Sequence, residues 1–72
     1  MTKEKLYDSV YTLVDDYVSN NHKQPKYLFI NADFDLTMFL DSNDLRDYIQ
    51  NSFKGMMIVR SSDVAKEELM VY

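Results

Sequence analysis

The sequence has no cysteine and no tryptophan, and only one histidine, one glycine and one proline. Without cysteine there are no disulfides and no thiolate metal sites. A single imidazole, His22, cannot build a histidine zinc centre, and nothing around it suggests a Ser-His-Asp set. So little Gly and Pro leaves few breaks for long loops. No apolar run approaches the roughly 18–20 residues that span a bilayer. The opening MTKEKLYDSV places charges where a signal peptide has its apolar segment. The expectation is a cytoplasmic protein without metal or cofactor.

What is present is enough for one small core. The 72 residues are 46% apolar and include six Tyr and four Phe, so the chain folds rather than staying disordered, as a single domain over 1–72. A chain of this size hides only about 60% of the surface its unfolded form exposes. Such domains often recruit a disulfide, a metal or a second subunit. With the first two excluded, tight packing or self-association remains. Eight Lys and Arg are interspersed among twelve Asp and Glu, for a net charge of −4. No basic face exists to meet phosphates, which argues against nucleic acid and anionic membranes as direct partners. The frequent Ile, Asn, Tyr and Lys fit AT-rich coding DNA, as in a low-GC bacterium or one of its phages.

Apolar residues at Leu6, Tyr7, Val10, Tyr11, Leu13, Val14, Tyr17 and Val18 follow helical spacing and predict a helix over 3–19. Thr2 is placed to cap it, Asn20-Asn21 to end it in the left-handed conformation, and Pro25 to prevent its resumption. Its apolar arc spans roughly 160°, wider than the ~100° one core contact needs. Leu6, Val10, Leu13, Val14 and Tyr17 lie at its centre, and Tyr7, Tyr11 and Val18 line one edge. Tyr27–Asn31 reads as a strand, followed by turn chemistry at Asn31-Ala32-Asp33. From Phe34 to Asp41 apolar and polar residues alternate. That pattern predicts a second strand, paired with the first as a hairpin, with Phe34, Leu36, Met38 and Leu40 on one face. A helix then starts at Asp41 or Ser42, with Asp44 in a capping-box-like position. Leu45, Tyr48, Ile49 and Phe53 form its stripe, and Lys54-Gly55 its stop. Met56–Arg60 is apolar enough for a central strand. Residues 63–70 read as a short helix, with a fourth strand as the alternative. The fold class is α+β: a small two-layer sandwich in the order α-β-β-α-β, then a short helix or strand, with the helices on one face of a small sheet.

The passage YLFINADFDLTMF contains Asp33-x-Asp35-x-Thr37 at the end of an apolar strand. In this it resembles the first motif of the haloacid dehalogenase-like phosphatases. The resemblance implies Asp33 as a nucleophile that forms an aspartyl-phosphate, Asp35 as the acid and base, and magnesium to screen the charge. The apolar strand ending at Ser61 is similar to that family's second motif. Leu36 stands where the family usually has Gly, and the sequence beyond Ser61 is too short for its later motifs. By alternation alone, Asp33, Asp35 and Thr37 are the solvent face of a strand, and that reading is adopted. An EF-hand loop opening at Asp33 is rejected, because Met38 and Asp44 occupy the places of its Gly and Glu.

The function this predicts is contact with another protein or with a second copy of the chain, without catalysis, in a phage or mobile-element regulator or inhibitor. The surplus apolar edge of the first helix, Tyr7, Tyr11 and Val18, is the expected partner-binding surface, since Tyr buries area while keeping a polar end. The alternatives are a minimal phosphatase-like domain using Asp33 and Asp35, and a DNA mimic whose carboxylates imitate phosphates.

Overall fold

A computed structural model describes residues 1–72. Two helices and four strands, β1 (Tyr27–Asn31), β2 (Ser52–Phe53), β3 (Met56–Ser61) and β4 (Leu69–Val71), form an α+β fold, with a mixed sheet in the order β2-β3-β1-β4. Helix α1 runs over Lys3–Asn21, and the Thr2 hydroxyl accepts from the Lys5 N–H at 3.2 Å. The left-handed residue that ends it is His22 (φ 57°), not Asn20 or Asn21. The reason is local. The Asn21 side-chain amide donates back to the Tyr17 carbonyl at 2.9 Å, which satisfies a terminal acceptor and shifts the cap one residue on.

Strand β1 (Tyr27–Asn31) is interior, parallel to β3 (Met56–Ser61) and antiparallel to β4 (Leu69–Val71). The expected hairpin between 27–31 and 34–40 is therefore absent. Residues 32–41 instead form turns and a single 3₁₀ turn over Thr37–Phe39. Side chains compete with the backbone here. Asn31 Oδ1 accepts from the Asp33 N–H at 2.9 Å, and Asp35 Oδ1 accepts from the Thr37 N–H at 3.0 Å. Two such turns in succession curl the chain away from a ladder. Of the four residues expected on one strand face, only Leu36 is fully buried, while Met38 is 89% exposed.

Helix α2 covers Ser42–Ile49, shorter than expected, and Ile49 is exposed. Asp41 is its N-cap residue without a side-chain capping bond, and Asp44 bonds across to α1 rather than closing a capping box. Phe53, expected on this helix, belongs to β2 (Ser52–Phe53) and is fully buried. Lys54-Gly55 is not a helix stop. With φ of 49° and 81°, it is the two-residue turn of the β2–β3 hairpin. Positive φ at both positions gives the turn a twist that matches its strands.

The tail is a strand and not a helix over 63–70. Leu69 pairs with Ile30 and Val71 with Leu28, and the left-handed Glu67 (φ 66°) precludes a helix through this segment.

The core joins Leu6 and Val10 of α1 to Leu28, Ile30, Met56 and Ile58 of the sheet, with Leu36, Tyr48 and Phe53 completing it. Each large apolar side chain buried here contributes roughly 1.5–3 kcal/mol. Both helices supply their side chains to this one cluster, so both lie on the same side of the sheet.

Candidate functional site

Strand alternation decides which residues occupy the other side. Leu28, Ile30, Met56 and Ile58 point to the helices, so Tyr27, Phe29, Met57 and Val59 point away. On β4 the same rule sends Met70 outward between Leu69 and Val71, which pack on the core. The register brings these residues into one patch: Phe29 lies beside Val59 on β3 and Met70 on β4, and Tyr27 beside Met57. Tyr72 extends the patch. Its carbonyl accepts from the Tyr27 N–H at 2.8 Å, and its ring meets Phe29 edge-on at 5.3 Å. Tyr27 also meets Phe29 edge-on, at 6.4 Å.

The patch contains no charged residue; Asn31, Ser52 and Ser61 lie at its margin. Phe29 and Val59 are half-buried, whereas Met57 is 59% and Tyr72 51% exposed. Parallel strand pairs are usually covered on both faces. Here β1 and β3 are covered on one.

A second cluster sits at the carboxyl ends of β1 and β3, where loops 32–37 and 61–64 meet. The Ala32 N–H donates to the Ser61 carbonyl at 3.1 Å, and Asn31 Nδ2 to the Val64 carbonyl at 2.7 Å. Asp35 is fixed by the Thr37 hydroxyl (2.5 Å) and N–H, which hold its carboxyl below its ordinary 3.8; Tyr48 and Arg60 act in the same direction more weakly. The buried Tyr48 hydroxyl accepts from Arg60 Nη2 at 3.0 Å and from the Leu36 N–H at 3.3 Å. Asp33 is exposed. No three His, Cys, Asp or Glu side chains converge in a way that could hold a metal ion.

The three residues on the edge of α1 are not equivalent. The Tyr7 hydroxyl donates to Asp44 Oδ2 at 2.5 Å and accepts from the Asp41 N–H at 3.1 Å. Desolvation, reinforced by Asp44, pushes its pKa up to about 12. Its ring packs on Phe53 at 6.0 Å beneath the Lys54 ammonium. Tyr7 thus joins α1 to α2 and the β2–β3 hairpin. Tyr11 is exposed and lines a groove of about 400 Å³ with Val10, Val14, Pro25 and Met56. Val18 is half-buried.

The sheet patch was not read from the sequence, although KYLFI and MMIVR carry its signal. Two helices, each joined to the sheet by a short connection, cover one face of a small sheet and leave the other. No helix is long and apolar enough to cross a membrane. No protein-family model, no curated protein and no solved structure matches the chain.

Proposed function

We propose that the protein works by binding another protein chain through the bare face of its sheet, and not by catalysis. The observation that carries this reading is the uncharged patch of Tyr27, Phe29, Met57, Val59, Met70 and Tyr72 on a face that neither helix covers. Contiguous apolar surface of this kind is a marker of interaction sites, and Tyr, Phe and Met are the residues enriched in them. The Tyr7–Tyr11–Val18 edge of α1 is a weaker choice, because Tyr7 already has its partners within the chain.

Site-specific photo-crosslinking in the cell that makes the protein tests the reading. A photoreactive residue at position 57 is expected to give a covalent protein adduct, and one at position 38, more exposed but off the patch, is not. Adducts from neither position, or from position 38 alone, contradict it.

A second reading rests on the parallel pairing of β1 and β3, which puts Asn31 beside Ser61 and so sets the loop that carries Asp33, Asp35 and Thr37 at the strand end next to that of Ser61. Ligands in open α/β sheets gather at that end. This reading is the phosphatase-like one, with Asp33 as nucleophile. It predicts magnesium-dependent phosphate release that disappears in Asp33→Asn, and no release from a broad panel of phosphomonoesters contradicts it.

A further inference from the structure

We infer that the occupant of the bare sheet face is a second copy of this chain, packed sheet against sheet about a two-fold axis. The inference rests on the reading of that face as a protein contact and names the partner. Three observations carry it.

The first is size. The four strands have two, six, five and three residues across the sheet; at about 3.3 Å per residue and about 4.8 Å between strands they give a flat footprint of about 250 Å², and side-chain relief increases the accessible area. A tenth of the chain's 4920 Å² surface is the usual share that a small protein commits to an interface. Two such contributions total about 1,000 Å², the lower bound for a specific complex. The whole face, and not a part of it, is therefore needed, and a partner presenting an equal flat face satisfies this best. A second copy presents one by construction.

The second is charge. The chain carries a net −4, which opposes self-association wherever acids would face acids. The patch is the large apolar surface where they would not. Asp8, Asp15 and Asp16 are on α1 and Asp41, Asp44 and Asp47 on or beside α2, across the sheet from it, while Asp33, Asp35, Asp63, Glu67 and Glu68 are in the loops at one end of the strands and not on the face itself. A patch without charge has nothing with which to select a basic or acidic partner, but it matches itself without burying an unpaired charge.

The third is shape. Phe29 lies mid-strand on β1, with Val59 and Met70 directly beside it on the two neighbouring strands, and so marks the centre of the face. A two-fold axis beside Phe29 brings the two Phe29 rings together, with Met57 and Met70 around them and the Tyr27 and Tyr72 rings toward the margin, where their hydroxyls can stay wet. Face-to-face sheets pack about 10 Å apart, a spacing that interdigitated Phe, Met and Val side chains fill. The product is an isologous dimer with layers in the order α/β/β/α. It covers the second face of the β1–β3 parallel pair and enlarges a core of only nine buried residues in one chain.

The test is the solution mass by sedimentation equilibrium at about 100 μM, where a contact of this size should be occupied, compared with Met57→Lys and Met38→Lys. Wild type and Met38→Lys are expected at twice 8.6 kDa. Met57→Lys places a charge opposite the second copy twice per dimer and is expected to weaken association roughly a hundred-fold or more, leaving a monomer. Its circular dichroism should match wild type, since Met57 is exposed in the single chain. A wild-type monomer overturns the inference, as does a dimer that Met57→Lys leaves intact. The mass of the adduct formed at position 57 in cells separates this failure from that of the underlying reading. An adduct with a different protein removes the second copy but keeps the face as a contact, and no adduct removes both.

Discussion

The Tyr7 hydroxyl reaches Asp44 Oδ2 at 2.5 Å across 37 positions of sequence. This bond and the one from the Asp41 N–H fix α1 to the start of α2. Lys54, over the Tyr7 ring and 3.5 Å from Asp44, extends the link to the β2–β3 turn. Both helices are thereby held on one side of the sheet, and the bare face on the other side follows from that.

Tyr7→Phe keeps the packing on Phe53 and removes both hydrogen bonds. The expected loss at pH 7 is about 1–3 kcal/mol, because Asp44 and the Asp41 N–H lose a partner. The gap between wild type and variant should narrow in alkali. A phenol with its pKa raised from 10.0 to about 12 stays protonated in the fold while the unfolded chain ionises. Its contribution is full below pH 10 and is lost as pH rises from 10 towards 12. Urea unfolding of both proteins at neutral and alkaline pH measures this.

Asp35 gives the opposite dependence. Its carboxyl is held below 3.8 chiefly by the Thr37 hydroxyl and N–H. That stabilisation is present above the ordinary value and is lost as pH falls through the lowered one. Asp35→Asn keeps an acceptor oxygen but does not titrate. The acid limb of its stability curve should be shallower than wild type below pH 3.8, as read from denaturation midpoints.

Leu36 and Met38 distinguish the observed loop from an alternating strand. On a strand they would share a face. In the structure Leu36 is 0% and Met38 89% exposed. Leu36→Ala is expected to cost about 2–5 kcal/mol, and Met38→Ala to stay within about 0.5 kcal/mol of wild type. Similar losses from both would restore the strand.

Gly55 has φ +81° and open space where a Cβ would stand. Gly55→Ala should therefore destabilise by about 1–2 kcal/mol through backbone strain alone. Gly55→Asn should cost less, because Asn tolerates the left-handed region. Thermal melts of the two variants rank them.

The elements legible in the sequence are those specified by their own residues. The i, i+3, i+4 rhythm from Leu6 to Val18 gave α1, and the β-rich runs at Tyr27–Asn31 and Met56–Arg60 gave the two interior strands. What was not legible depends on partners distant in sequence or on side chains that imitate a pattern. The 34–40 alternation arises because Leu36 turns inward from a loop whose polar residues, Asp35 and Thr37, bond to each other. Lys54-Gly55 suits both a helix end and a type I′ turn, and only the pairing of Phe53 with Met56 decides between them. The tail becomes a strand because Ile30, far back in the chain, offers Leu69 an edge. The bare face has the same origin. Phe29 and Met57 are readable as outward residues only once β1 and β3 are known to be parallel neighbours with both helices behind them.

The methionines provide the most direct measurement of the central claim, that this face is a contact surface. Met57 and Met70 lie on it and Met38 lies off it. Peroxide oxidation in intact cells, followed for each methionine by mass spectrometry and compared with dilute unfolded chain, reports which thioethers are covered. Met38 is expected to oxidise at nearly the rate of the unfolded chain, while Met57 and Met70 are strongly protected, beyond what their exposure in a single chain allows. Oxidation of Met57 as fast as Met38 would contradict the claim.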